Sequence, residues 1–122
     1  MINRGAYKYI NLEYIYDLAD GDDEFAVEII GTCIETLGAN MQKLMEAIDA
    51  DNKEAIIFLT HKLKGSLRFI GCNHEGALIE KIEHLAESTS SNSEIANIAR
   101  IAADKLREIE KELIHFKDSI GN

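Results

Sequence analysis

Apolar residues recur along this chain at steps of three and four, the spacing of one face of an α-helix. The clearest ladder is Phe25, Ile29, Cys33, Leu37, Met41, Leu44 and Ile48. It predicts a long helix over about 23–49 with that stripe buried. Asp22, Asp23 and Glu24 stand at its start, where negative charge meets the positive end of the helix dipole. Gly31 and Gly38 each weaken it by about 1 kcal/mol relative to Ala, and Gly38 is a place for a bend. Ahead of it, Leu12, Ile15 and Leu18 mark a short helix over about 11–19, broken by Ala19-Asp20-Gly21-Asp22.

A third helix over about 52–70 is introduced by Asp51-x-x-Glu54, which has capping-box spacing, and stops at Gly71. Asn73 is placed to cap a fourth, over about 73–88, carrying Leu78, Ile82 and Leu85. After the polar run Ser88-Thr89-Ser90-Ser91-Asn92, Ser91-x-x-Glu94 opens a last helix over about 92–118. Its stripe is Ile95, Ile98, Ala102, Leu106, Ile109, Leu113 and Phe116. No stretch alternates as strands do. The expected fold is all-α: an antiparallel up-and-down four-helix bundle with the short N-terminal helix packed on it, one domain over 1–122.

Composition agrees and narrows the class. The 122 residues contain no Pro, so nothing interrupts long helices, and 46% are hydrophobic, enough for one core without staples. With 13 Lys+Arg against 22 Asp+Glu, the net charge of -9 argues against nucleic acid and anionic membranes as partners. No apolar run approaches the ~20 residues of a membrane span, and no secretory signal follows Met1. Cys33 and Cys72 read as reduced structural thiols of a cytoplasmic protein.

The third helix carries the candidate chemistry. On a wheel of about 100° per residue with Leu59 at zero, Ala55, Ile56, Leu63, Ser66, Leu67 and Ile70 fall within about 80°. His61 falls at about 200°, facing solvent from mid-helix. Ile57, Lys64, Gly65 and Arg68 share its outer face. From Ala55 to His74 the only charged residues are Lys62, Lys64 and Arg68, a basic island in an acidic chain. A neutral imidazole is a nucleophile near physiological pH. Such a nucleophile fits phosphoryl transfer: Lys64, at i+3, can lie over the same spot and balance charge on incoming phosphoryl oxygens, and Gly65, at i+4, leaves room for a partner. Ile57, Lys62 and Arg68 are the expected docking rim.

The string Thr60-His61-Lys62-Leu63-Lys64-Gly65-Ser66-Leu67-Arg68-Phe69-Ile70-Gly71 resembles the histidine-containing phosphotransfer (HPt) domain family, whose pattern is His-x-Leu-Lys-Gly-Ser with an Ile-Gly or Leu-Gly pair after it. Asn11-Leu12-Glu13-Tyr14, Gly21 to Phe25, and Leu44-x-x-Ala47-Ile48-x-x-Asp51 look like its flanking segments. The resemblance implies a phosphorelay intermediate of two-component signalling. Such a protein accepts a phosphoryl group on His61, through Nε2, from a receiver-domain aspartate and passes it to another receiver. It has no autokinase activity and no cofactor, and any Mg²⁺ belongs to the receiver. Implied partners are response-regulator receiver domains, including that of a hybrid histidine kinase. A cytoplasmic monomer is expected, and the initiating Met favours a free-standing protein. Arg68, where the family often has a small residue, bears on partner choice; Thr60 and Glu75 are further departures.

Two other classes compete. An HPt-like bundle can dock a receiver or kinase without accepting phosphate, which the intact His61, Lys64 and Gly65 argue against. A di-iron bundle needs two Glu-x-x-His pairs, whereas Glu112-x-x-His115 stands alone here. No metal site is expected, and no phosphate loop or nucleophile motif supports a hydrolase.

Overall fold

The computed structural model describes residues 7–88 and 92–120. Five helices follow one another: α1 (Leu12–Leu18), α2 (Asp23–Asp49), α3 (Lys53–Phe69), α4 (Asn73–Glu87) and α5 (Asn92–Ile120). No strand occurs among the described residues. α2 packs on α3 and α5, α4 packs on the same two helices, and α1 lies against α2 and α3. This is the neighbour pattern of a four-helix bundle with a helix added at one end. No helix among the described residues is long and apolar enough to cross a membrane.

The core is built from the small and branched residues of each inward stripe. α2 buries Ala26, Ile30, Cys33, Leu37, Met41, Leu44, Ala47 and Ile48. The ladder read from sequence therefore starts one residue out of place: Phe25 is exposed and Ile29 only half-buried. Steps through 25 and 29 and through 26 and 30 both lead helically to Cys33, and bulk favours the wrong one. Gly31 and Gly38 face α5, where an added Cβ would come 3.9 Å from Lys117 Nζ and 3.2 Å from Glu110 Oε2. Cys33 and Cys72 are buried free thiols. Burial pushes the Cys33 thiol up to about 11 and raises Cys72 as well.

Capping differs in detail from the spacing-based reading. Asn52, not Asp51, caps α3, its Oδ1 accepting from the Ala55 N–H at 3.1 Å. Asp51 instead adopts φ 53° and closes α2, with its N–H donating to Ile48 O and that of Asn52 to Ala47 O. α4 is preceded by Cys72, which makes no side-chain cap, and Asn73 is its first residue. Ser91, the expected cap of the last helix, lies outside the described residues.

Residues 7–11 are strapped across one end of the bundle. The N–H groups of Lys8, Tyr9 and Ile10 donate to the Glu112 carboxylate at 3.0, 3.0 and 3.1 Å. The Tyr7 hydroxyl pairs with His115 Nδ1 at 2.6 Å. The lone Glu-x-x-His pair of α5 thus fastens this strap. The strap then meets the α3–α4 turn, where the Asn11 N–H donates to Ile70 O at 2.9 Å. Gly71, at φ 73°, follows, and a Cβ there would come 2.5 Å from Asn11 Cβ. The αL conformation and the crossing chain both require glycine. Gly71→Ala is expected to destabilise the fold by about 2 kcal/mol, read as a lower denaturation midpoint with an unchanged m-value. An unchanged midpoint would mean that the strap does not press on this turn.

Candidate functional site

α3 begins at its Asn52 cap and runs without interruption to Phe69, with Ile56, Leu59, Leu63 and Leu67 buried. That stripe fixes the rotation of the helix and turns His61 outward; its side chain is 80% exposed. Thr60, beside it, is wholly buried and donates its hydroxyl to Ile57 O at 2.9 Å.

The residue that completes the site comes from α4. Glu83 is buried, and its two carboxylate oxygens are divided between α3 side chains. Oε1 accepts from Lys64 Nζ at 2.7 Å, and Oε2 lies 3.6 Å from His61 Nδ1. Glu80 Oε1 is 4.0 Å from the same ammonium. The hydrogen bond from Lys64 holds the Glu83 carboxyl below its ordinary value against the opposing effect of burial, and the charges of Lys64 and His61 add to the lowering. A carboxylate on the Nδ1 side favours the tautomer with the proton on Nδ1. The lone pair then sits on Nε2, on the open side of the ring.

Gly65 lies one turn beyond His61, and a Cβ built on it meets nothing within 4 Å. No packing requires this glycine, although it costs the helix about 1 kcal/mol relative to Ala. Its effect is on the space outside. On the α2 side of the site an apolar groove of about 670 Å³ includes Leu18, Phe25, Ile29, Lys62, Gly65 and Phe69. Phe25 and Phe69 are 48% and 54% exposed there. Lys62 is exposed, with its ammonium 4.8 Å from the Phe58 ring centroid, and Arg68 is exposed on the α4 side.

Two expectations are corrected. Ile57 is half-buried and packs against the core, because α3 is covered by both α2 and α4 and its buried arc is wider than one stripe. It therefore shows less apolar surface than its place on the helical wheel implies. The basic island is also neutralised at one of its three cations, since Glu80 and Glu83 reach Lys64 from the neighbouring helix, while Lys62 and Arg68 form no ion pair among the described residues. A charge count along α3 alone misses the two acids. Exposed apolar surface in the groove beside Lys62 and Gly65 is supplied by Phe25 and Phe69, and the ladder expectation puts the first of these in the core.

These features agree with what the chain is similar to. The Hpt domain family model matches residues 28–118. Among curated proteins, the phosphorelay intermediate protein rdeA of Dictyostelium discoideum is 22% identical over 104 residues, covering 85% of this chain and 39% of that protein. The chain thus spans about two fifths of the length of that curated relative. No solved structure matches. The family match takes in the larger part of the chain, including α3, α4 and all of the His61–Lys64–Glu83 cluster, and on that ground the chain belongs to the Hpt domain family.

Proposed function

We propose that this chain is a phosphorelay carrier in two-component signalling, taking a phosphoryl group from a receiver-domain aspartate onto His61 and handing it to a second receiver. The observation that carries this reading is an exposed imidazole whose Nδ1 alone faces a buried carboxylate. The Nε2 lone pair attacks the phosphorus of the aspartyl phosphate in line. The N–P bond forms as the P–O bond to the carboxylate breaks, and that carboxylate leaves with the electron pair. The ring keeps its Nδ1 proton and becomes a phosphoimidazolium, whose positive charge faces Glu83. Lys64, one turn away, is the cation for the phosphoryl oxygens, which then share its ammonium with Glu83. The return step reverses the bond changes toward another aspartate, and no nucleotide takes part.

The chain contributes position, one charge and access, so the receiver must be held at the correct distance by docking. We assign that docking to the apolar groove beside Gly65, with Lys62 and Arg68 as flanking cations. The carrier works as a monomer in the cytoplasm, where receivers reside. The deciding experiment incubates it with each phosphorylated receiver of its source genome. The expected product is an acid-labile, alkali-stable phosphoryl group on the wild-type chain. If receivers bind yet none transfers label, the chain is a docking module and the carrier reading fails.

The groove has its own test. Phe25→Glu places a charge at an exposed position in the first turn of α2, where the helix dipole favours it. Thermal stability should hold to within about 0.5 kcal/mol. Affinity for a receiver that loads the wild type should fall about tenfold or more, ~1.4 kcal/mol. An unchanged titration isotherm would move the docking face elsewhere.

A further inference from the structure

α3 and α4 form an antiparallel hairpin about Cys72, and their facing residues pair as rungs. His61 and Glu83 each lie 11 positions from Cys72, and Lys64 and Glu80 each lie 8. On these rungs Glu83 lies 3.6 Å from His61 and Glu80 4.0 Å from Lys64, whose hydrogen bond goes across to Glu83 at 2.7 Å. The next rung breaks the rule. Arg68 and Gly76 each lie 4 positions from Cys72, so the guanidinium has a glycine where its neighbours have an acid. Among the described residues Arg68 forms no ion pair; Glu80, half-exposed on the same side, lies 4.0 Å from Lys64 and makes none with Arg68.

The vacancy has a shape. A polar cleft of about 170 Å³ opens here, lined by Lys64, Arg68, Asn73, Gly76 and Glu80. It is smaller than the ~300 Å³ at which small-molecule sites begin, and holds a few waters or one side chain. A Cβ built on Gly76 meets nothing within 4 Å. Like Gly65, and unlike Gly31 and Gly38 with α5 side chains near them, it weakens its helix with no packing reason. Two glycines that only clear space thus stand on either side of the Lys64–Arg68 ridge.

We propose that this cleft is a selectivity pocket in which Arg68 takes one acidic side chain, Asp or Glu, from the rim of the docked receiver. The proposal rests on receiver docking at His61 and names what the partner must present on the α4 side. A carboxylate fits the guanidinium fork by two parallel hydrogen bonds, and the absent side chain at Gly76 lets it in. A receiver with Lys or an apolar residue at that place leaves Arg68 covered and unpaired, so the pocket rejects as well as selects.

The test uses Arg68→Glu and Gly76→Leu in the full chain, with two readouts for every receiver that binds the wild type. One is the dissociation constant. The other is the transfer rate, divided by the rate of receiver-free loading with phosphoramidate. Arg68→Glu should raise the dissociation constant tenfold or more for the preferred receiver, and an acid-to-Lys change on that receiver's rim should restore it. Gly76→Leu should weaken binding equally while the melting temperature holds or rises, since Leu favours the helix. Dissociation constants within twofold of wild type for both variants would overturn the pocket. Because binding is read separately, a chain that docks receivers without taking phosphate defeats the carrier reading while still deciding the pocket.

Discussion

His61→Gln should abolish phosphoryl uptake while leaving the fold intact. Gln keeps a neutral polar side chain of similar reach but has no ring nitrogen with a nucleophilic lone pair. At 80% exposure the imidazole contributes little to packing, so stability should change by no more than about 0.5 kcal/mol. With the covalent intermediate removed there is no slower version of the same step, and label from a phosphorylated receiver should stay at background. Receiver binding should survive, because the groove and the Arg68 cleft are untouched. His74, His84 and His115 are also exposed, and His115 is engaged by Tyr7. None of the three has a carboxylate within 4 Å among the described residues, as His61 has. Acid-labile label remaining on the variant would move the acceptor to one of them and undo the assignment.

How much of this was legible beforehand depended on whether a feature is set within one helix or between two. The rotation of α3 follows from Leu59, Leu63 and Leu67, all on one helix, so the outward direction of His61 could be computed from spacing. The bundle likewise follows from four long stripes with short connections. Ile57 is less exposed than its spacing implies because the width of the buried arc depends on how many helices cover α3. Phe25 failed because two ladders through α2 are equally helical, and only packing against the rest of the bundle selects Ala26 and Ile30. Glu83 was missed for a related reason: nothing near His61 in sequence points to it. A signal was present in the hairpin geometry. Once Gly71 ends α3 and α4 returns, positions equidistant from the turn lie at the same level of the hairpin, which brings Glu83 near His61 and Glu80 near Lys64.

Glu83 is therefore where the largest effect outside His61 is expected. Glu83→Ala leaves Lys64, only 19% exposed, without its 2.7 Å partner, and removes the charge facing Nδ1. The stability loss should be about 1–3 kcal/mol, the cost of a polar group deprived of its partner in a mostly buried place. Glu83→Gln separates packing from charge, because it keeps the volume and one acceptor oxygen. Phosphotransfer should fall in both variants by about tenfold, ~1.4 kcal/mol, as the developing phosphoimidazolium loses its counter-charge. Nitrogen NMR of the ring should show less of the Nδ1–H tautomer, a change that loss of packing alone does not produce. The pH dependence has a definite sign. The Glu83 carboxyl is lowered in the fold from an ordinary value of 4.5. Its contribution is fully present above that value and is lost as pH falls through the lower folded value. The stability gap between wild type and Glu83→Gln should hence be constant near neutrality and close in acid. A gap that stays constant into acid, with an unaltered tautomer signal, would reduce Glu83 to a spacer and leave His61 to work without it.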